Sequence, residues 1–207
     1  MKAVGDFLYL KKNIMKSKTC VILLLLVSCF TSAQTIEKLK AETKKIHDAN
    51  YTMDFETITN LTYPKVVTTI GKEKFQEKLD TDYQNEAYRM RLQLVNPVFQ
   101  YGEFIKIDGN TFCVISYKNP VRYFYETKLD SNTSLLKAND LREKDRTKDV
   151  TFEISRNSFN VRRISKFVAI ADATTNNAWK FFNMDDVAQR QLFEILFDDT
   201  IKKQLKL

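Results

Sequence analysis

The sequence predicts an α+β fold in which helices come first and an antiparallel sheet follows. Three observations lead there. Apolar residues recur at helical spacing from Ile36 to about Tyr88, the period shortens to that of strands from about Met90, and helical spacing returns from Asp185 or Asp186 to about Lys203. Helices that precede an antiparallel sheet must cover one of its faces, because each buries only one apolar side.

On a helical wheel Ile36, Leu39, Thr43, Ile46, Asn50 and Met53 fall in one sector, so residues 35–53 are expected to form an amphipathic helix with a narrow apolar stripe. A short helix is expected over residues 54–58. A third should start at Tyr63-Pro64-Lys65, since proline suits a first helical turn, where its missing amide would have had no partner. Gly71 breaks the chain, and residues 72–88 resume helix through Phe75, Leu79, Tyr83 and Ala87.

In the strand region, Pro97 marks an edge, a bend or a bulge between Leu92 and Tyr101, because it cannot donate to a sheet ladder. Asp108-Gly109-Asn110 between Phe104–Ile107 and Thr111–Tyr117 is a hairpin signal. Strands are further expected over residues 121–127, 150–154, 165–171 and 179–183, with the polar interval 129–148 an irregular excursion between them. Trp179 and Phe181 alternate with Lys180 and Phe182, so aromatics point to both faces of the last strand. The final helix, expected to turn Val187, Leu192, Ile195, Leu196 and Ile201 inward, or a partner, should cover one of them.

The segment Met15–Gln34 reads as an export signal. Lys16 and Lys18 precede the aliphatic run Val21–Val27, and Thr31-Ser32-Ala33 supplies small residues before Gln34. Met15 is the better physical start of the chain. The apolar run is much shorter than the roughly 20 residues needed to cross a bilayer core. Cleavage after Ala33 would release a soluble protein into the periplasm or medium. Alternatively Leu26-Val27-Ser28-Cys29 looks like a bacterial lipobox, and lipidation of Cys29 would tether the protein to the envelope, its one route to a membrane.

Residues 1–33 carry five lysines and one aspartate, so they hold most of the +7 net charge of the whole chain, and residues 34–207 form one domain of modest charge. The remaining basic residues are interleaved with acids, as in Arg142-Glu143-Lys144-Asp145-Arg146, which reads as a solvated face and argues against nucleic acid as a partner. Cys20 and Cys29 lie in the signal, so Cys113 is the single thiol of the mature chain and no disulfide framework can form. It sits in the apolar strand Phe112-Cys113-Val114-Ile115 and reads as a small hydrophobe.

Phe55-Glu56-Thr57-Ile58, Tyr63-Pro64-Lys65-Val66-Val67 and Gly71-Lys72-Glu73-Lys74-Phe75 resemble the helical lead-in of secreted members of the nuclear transport factor 2-like superfamily. Lys166-Phe167-Val168-Ala169-Ile170 and Trp179-Lys180-Phe181-Phe182-Asn183, joined by a turn, are similar to the closing hairpin of exported members from Bacteroidetes-type bacteria. Where related hairpins place glycine before the tryptophan, this chain has Asn176 and Asn177, which also tolerate the left-handed conformation. The resemblance implies a strongly curved antiparallel sheet wrapped around the helices, a cone whose mouth holds a small molecule or peptide, and commonly a dimer. Fold alone does not choose the function.

Catalytic residues are not evident. The single imidazole, His47, could act as a general base with Asp54 or Glu56 in a lyase or isomerase. One histidine and one thiol cannot build a metal site without carboxylates, and no phosphate loop or nucleophile elbow is present to bind a cofactor or activate a serine. Binding rests on aromatics, with Tyr51, Phe55, Tyr63, Tyr117, Tyr125 and Trp179 as candidates to line an apolar pocket. The expectation is an exported binding or accessory module without catalysis, taking an unknown small molecule or protein. The alternatives are the His47 enzyme and a lipid-anchored envelope interaction protein.

Overall fold

A computed structural model describes residues 36–207, so the segment expected to be an export signal, with Cys20 and Cys29, lies outside the described residues. Two compact units divide the chain, Met1–Ala41 and Glu42–Leu207. Among the described residues seven α-helices and nine strands form an α+β fold: α1 (36–52), α2 (Phe55–Leu61), α3 (Pro64–Ile70), α4 (Lys72–Tyr83), β1 (Tyr88–Leu92), β2 (Gln100–Tyr101), β3 (Ile105–Ile107), β4 (Asn110–Lys118), β5 (Val121–Tyr125), α5 (Ser131–Lys144), β6 (Val150–Glu153), β7 (Ser158–Val161), β8 (Ile164–Ala171), β9 (Lys180–Asn183), α6 (Val187–Leu196) and α7 (Asp199–Leu205). No helix among the described residues is long and apolar enough to cross a membrane.

The early helices are delimited by their caps. Asp54 starts α2 by accepting from the Thr57 amide at 3.0 Å, Pro64 opens α3, and Gly71 separates α3 from α4 at φ 90°. Helix α4 ends at Tyr83, five residues short of the expected Tyr88. The Asn85 side chain accepts from the amides of Ala87 and Tyr88, turning the chain so that Tyr88 already belongs to β1.

The strands form two antiparallel sheets and no closed barrel. One has the order β1-β5-β7-β6; the other has β2-β4-β8-β9, with β3 also on β4. The hairpin at Asp108-Gly109 is as expected, with both residues at positive φ, the turn that matches strand twist. Asn176 and Asn177 likewise take positive φ in the turn before Trp179. Two strand lines run through both sheets. β4 passes into β5 at Asn119-Pro120, and β7 passes into β8 at Arg162-Arg163. Lys118 pairs with Ile164 in one sheet, Val121 pairs with Val161 in the other, and the Asn119 amide donates to the Arg163 carbonyl at 2.9 Å between them. These four residues form the corner between the sheets.

Each sheet packs a core on one face, and Ile115, Tyr117, Phe167, Ala169 and Phe181 are also buried on the opposite face of the larger sheet. Phe112, Val168, Ile170 and Phe182 pack with Tyr63, Val66, Phe75, Phe193 and Phe197, which places α3, α4, α6 and α7 on one face of the larger sheet. Met90, Val121, Tyr123, Phe159 and Val161 pack with Ala138 and Leu141 of α5 on the smaller sheet. Both faces of β9 are covered, Phe182 by Tyr63, Phe193 and Phe197 at 5.0 to 6.2 Å between ring centroids, and Phe181 by Phe167 at 5.8 Å.

Three expectations are corrected. The interval 129–148 holds the 14-residue helix α5, started by Asp130 accepting from the Thr133 amide at 2.7 Å. The strand β7 appears where none was expected, because Phe159 and Val161 complete the smaller core. The final helix is two, broken at Phe197 where Asp198 caps α7 through the Ile201 amide, and Val187 and Ile195, expected to face inward, point outward from α6, Ile195 80% exposed.

Phe182→Ala is therefore expected to cost about 3–5 kcal/mol, the usual range for emptying a buried aromatic site, whereas Ile195→Ala should stay within about 0.5 kcal/mol. Urea unfolding of the two variants checks the contrast, and an equal loss in both would contradict the burial of Phe182 and the exposure of Ile195.

Candidate functional site

The corner carries a buried charge cluster. Arg163, whose side chain is 13% exposed, donates through Nη1 to Oδ1 of Asp145, which is 1% exposed. The other oxygen of Asp145 accepts from the Tyr123 hydroxyl at 3.0 Å, and Asp185 stands 4.0 Å from Arg163 Nε, a buried nitrogen with no hydrogen-bond partner. Burial works against the guanidinium charge, but Asp145 and then Asp185 outweigh it and hold Arg163 firmly protonated. Burial also pushes the phenols of Tyr117 and Tyr123 far up, so both remain neutral donors. The reading of residues 142–146 as a solvated face is thus corrected at Asp145. That residue caps α5 and turns inward, where its carboxylate meets the strand corner.

Around this cluster lies a groove of about 1070 Å³. It is bordered by Gln93, Val95, Asn96, Pro97, Val98 and Gln100 on one side and by Lys144–Thr147 and Asp149 on another, with Ser116–Lys118, Pro120, Arg162–Ile164 and Lys166 from the corner strands. The opening between residues 93 and 100 has a cause in the strand register. In the smaller sheet Leu92 opposes Val121 and the Gln93 amide donates to the Pro120 carbonyl at 2.9 Å; in the larger one Gln100 opposes Ser116. Six residues, 94–99, therefore run opposite three, 117–119, and the surplus loops out as an extended bulge. Pro97 lies inside it, consistent with the bulge expected there.

The bulge is anchored at one end. The Phe99 ring sits 5.7 Å from the ring of His47 and 5.1 Å from that of Tyr117, and His47 is 5.6 Å from Tyr117, all edge to face. His47 is buried on α1, and its Nδ1 faces Asp48 at 3.4 Å. Burial lowers its pKa below 6.5, opposed by the hydrogen bond to Asp48, with Lys44 adding a small push downward.

The catalytic candidates are not gathered. Asp54 is committed to the α2 cap, and Glu56 accepts from Lys72 and Gln76 at 3.0 and 2.9 Å, so the carboxylate near His47 is its neighbour Asp48. Cys113 is fully buried, its thiol pushed up to about 11 by that burial and donating to the Gly102 carbonyl at 3.5 Å. Among the described residues no group of three or more His, Cys, Asp or Glu gathers to hold a metal.

The six aromatic candidates are likewise dispersed, and of them only Tyr117 borders the groove. Tyr63 is buried, donates to Asp172 at 2.7 Å and has its phenol raised to about 12 by burial. Trp179 stacks on Phe104 at 5.7 Å, Tyr125 packs edge-on to Phe159, Phe55 packs on Tyr83, and Tyr51 is exposed. Sequence reasoning missed Arg163 and Asp145. The signal available was the pair of strand interruptions, Asn119-Pro120 and Arg162-Arg163, which mark positions where two strands bend together.

Comparison with known proteins gives no matching family model, no curated relative and no solved structure of significant similarity.

Two measurements follow. Asp145→Asn is expected to destabilise the protein by about 3–5 kcal/mol, because it leaves the Arg163 charge buried without its partner; a loss under 1 kcal/mol in urea unfolding would show that solvent reaches the pair. For His47, the folded state binds its proton less readily than the unfolded one, so stability is full above about pH 6.5 and falls as pH drops below it. Urea titrations of the wild type and His47→Phe between pH 5 and 8 should differ in slope below about 6.5, the variant losing the His47 contribution.

Proposed function

We propose that this protein is an exported binding or accessory module that holds its ligand in the corner groove and performs no catalysis. The groove itself carries this reading. It is the place where solvent-exposed apolar side chains, Val98 and Ile164, meet the cations Lys118, Arg146 and Lys166, which make no side-chain hydrogen bond or ion pair among the described residues. Its buried carboxylate is already neutralised, Asp145 being held by Arg163 and Tyr123, and the imidazole of His47 lies outside the groove lining, wedged between the rings of Phe99 and Tyr117. A general base needs a proton within hydrogen-bond reach of a substrate, and a neutral histidine enclosed by Phe99 and Tyr117 has no such access.

Export rests on the order of Lys16, Lys18, Val21–Val27 and Ala33 in the sequence. The cone expected from the resemblance to the nuclear transport factor 2-like superfamily belongs to the same proposal. Strand lines that bend at Asn119-Pro120 and Arg162-Arg163, with α3 and α4 on one face of the larger sheet, are what a wall curving around helices requires.

Hydrogen exchange tests the reading. Soluble and envelope extracts of the producing cells, added to the purified protein, are expected to slow exchange at the groove amides of residues 94–99 and 144–149. Protection confined to other surfaces, or none from either extract, would contradict it. Turnover of any compound with loss of activity in His47→Phe, at unchanged fold, would instead favour the enzyme.

A further inference from the structure

We infer that the groove takes an extended acidic peptide segment of a partner protein, which pairs its main chain with the bulge at residues 94–99; this rests on the groove being the binding site. Two features specify a peptide. First, Leu94 through Phe99 make no backbone hydrogen bond among the described residues, although Pro97 alone of the six lacks an amide proton. Continuing the β2–β4 register would set Val98 opposite Lys118, but the chain leaves the ladder at Gln100 and the groove opens along the departure. An extended chain satisfies such a row of amides and carbonyls; a compact anion does not. Pro97 limits the pairing to a short stretch, which keeps the edge from templating longer aggregates.

Second, the exposed side chains beside that edge have a pattern. Leu94 is 80% and Val98 78% exposed, which a merely protected edge would fill with charge. Lys118 pairs in register with Ile164, and Ser116 with Lys166, so Lys118, Ile164, Ser116 and Lys166 share one face of the corner. Cation and apolar group therefore sit side by side on neighbouring strands. An extended segment that carries a carboxylate and a β-branched residue two positions apart, so that both fall on one face, complements both. Arg146 adds a further cation at the end of α5.

The probe is a blocked heptapeptide with Glu at positions 1 and 5, Val at positions 3 and 7 and Ser between them, so that Glu and Val share one face, compared with its Lys-for-Glu counterpart and with a copy N-methylated at alternate residues. Free glutamate, inorganic phosphate and phosphatidylglycerol vesicles are the remaining arms. The acidic peptide is expected to slow exchange of the 94–96 and 98–99 amides at least about tenfold, and the Lys118→Glu/Lys166→Glu variant to bind it at least about tenfold more weakly. Unchanged exchange in β4 and β8 would confirm that this variant is folded. Equal protection by the Lys peptide or the N-methylated copy would overturn the inference. So would equal protection by glutamate or phosphate, which would make the groove a simple anion site, or protection by vesicles alone, which would make it a lipid surface. Protection by cell extract without protection by the acidic peptide would overturn this inference and leave the binding module standing; failure of both would remove the two together.

Discussion

The Arg163–Asp145 ion pair is the constraint on which the rest of the arrangement depends. A guanidinium and a carboxylate removed from water lose several kcal/mol each of hydration, and they recover it only through close pairing and further hydrogen bonds. Here the pair joins elements that are distant in sequence. Asp145 ends α5, while Arg163 stands where β7 becomes β8. Tyr123 satisfies the second carboxylate oxygen from β5, so helix, smaller sheet and corner meet at one carboxylate. Replacing the pair with apolar groups would keep the burial but lose the directional demand that fixes where α5 stops.

That fixed point also explains why the two sheets pack separate cores and leave a groove at the corner. At the corner Asn119 spends its amide on Arg163 and its side chain on Ser165 at 2.8 Å, and Pro120 offers no amide, so the corner residues leave the regular ladders of both sheets. Apolar packing proceeds on each side, with Phe112, Val168 and Phe182 in one core and Tyr123, Phe159 and Val161 in the other. Phe55 packs against both. The space flanking the corner is lined by charges and irregular backbone, and a polar, partly open surface results where neither core reaches.

What the sequence made legible is what local chemistry decides. The Asp108-Gly109 turn, the Pro64 start of α3 and the Gly71 break follow from backbone preferences of single residues. The helix α5 was obscured because its apolar signal is weak: Leu135 and Leu136 face solvent and only Ala138 and Leu141 are buried, so the readable cue was the cap at Asp130 and not a periodic stripe. β7 was hidden because its inward Phe159 and Val161 alternate with Ser158 and Asn160 and lie between the polar pairs Arg156-Asn157 and Arg162-Arg163. The site was less legible than the fold. Aromatic abundance pointed to a pocket, but most of those rings fill the cores, and the groove owes its form to a register difference between two sheets, a property of pairing that no single segment contains.

His47 shows how a residue can serve a site without chemistry of its own. Phe99 is the last residue of the bulge, and its ring is held by His47 and Tyr117, while the preceding five residues have no backbone partner. The bulge is thus fixed at its β2 end, tied at the other by the Gln93 amide to Pro120, and free to accept hydrogen bonds between. A charged imidazole would face two aromatic rings in a buried setting, a cost that the hydrogen bond to Asp48 only partly offsets, so the neutral form is the one that supports the anchor. The lone histidine, which in the sequence invited a catalytic reading, is better understood as the support beneath one end of a docking edge.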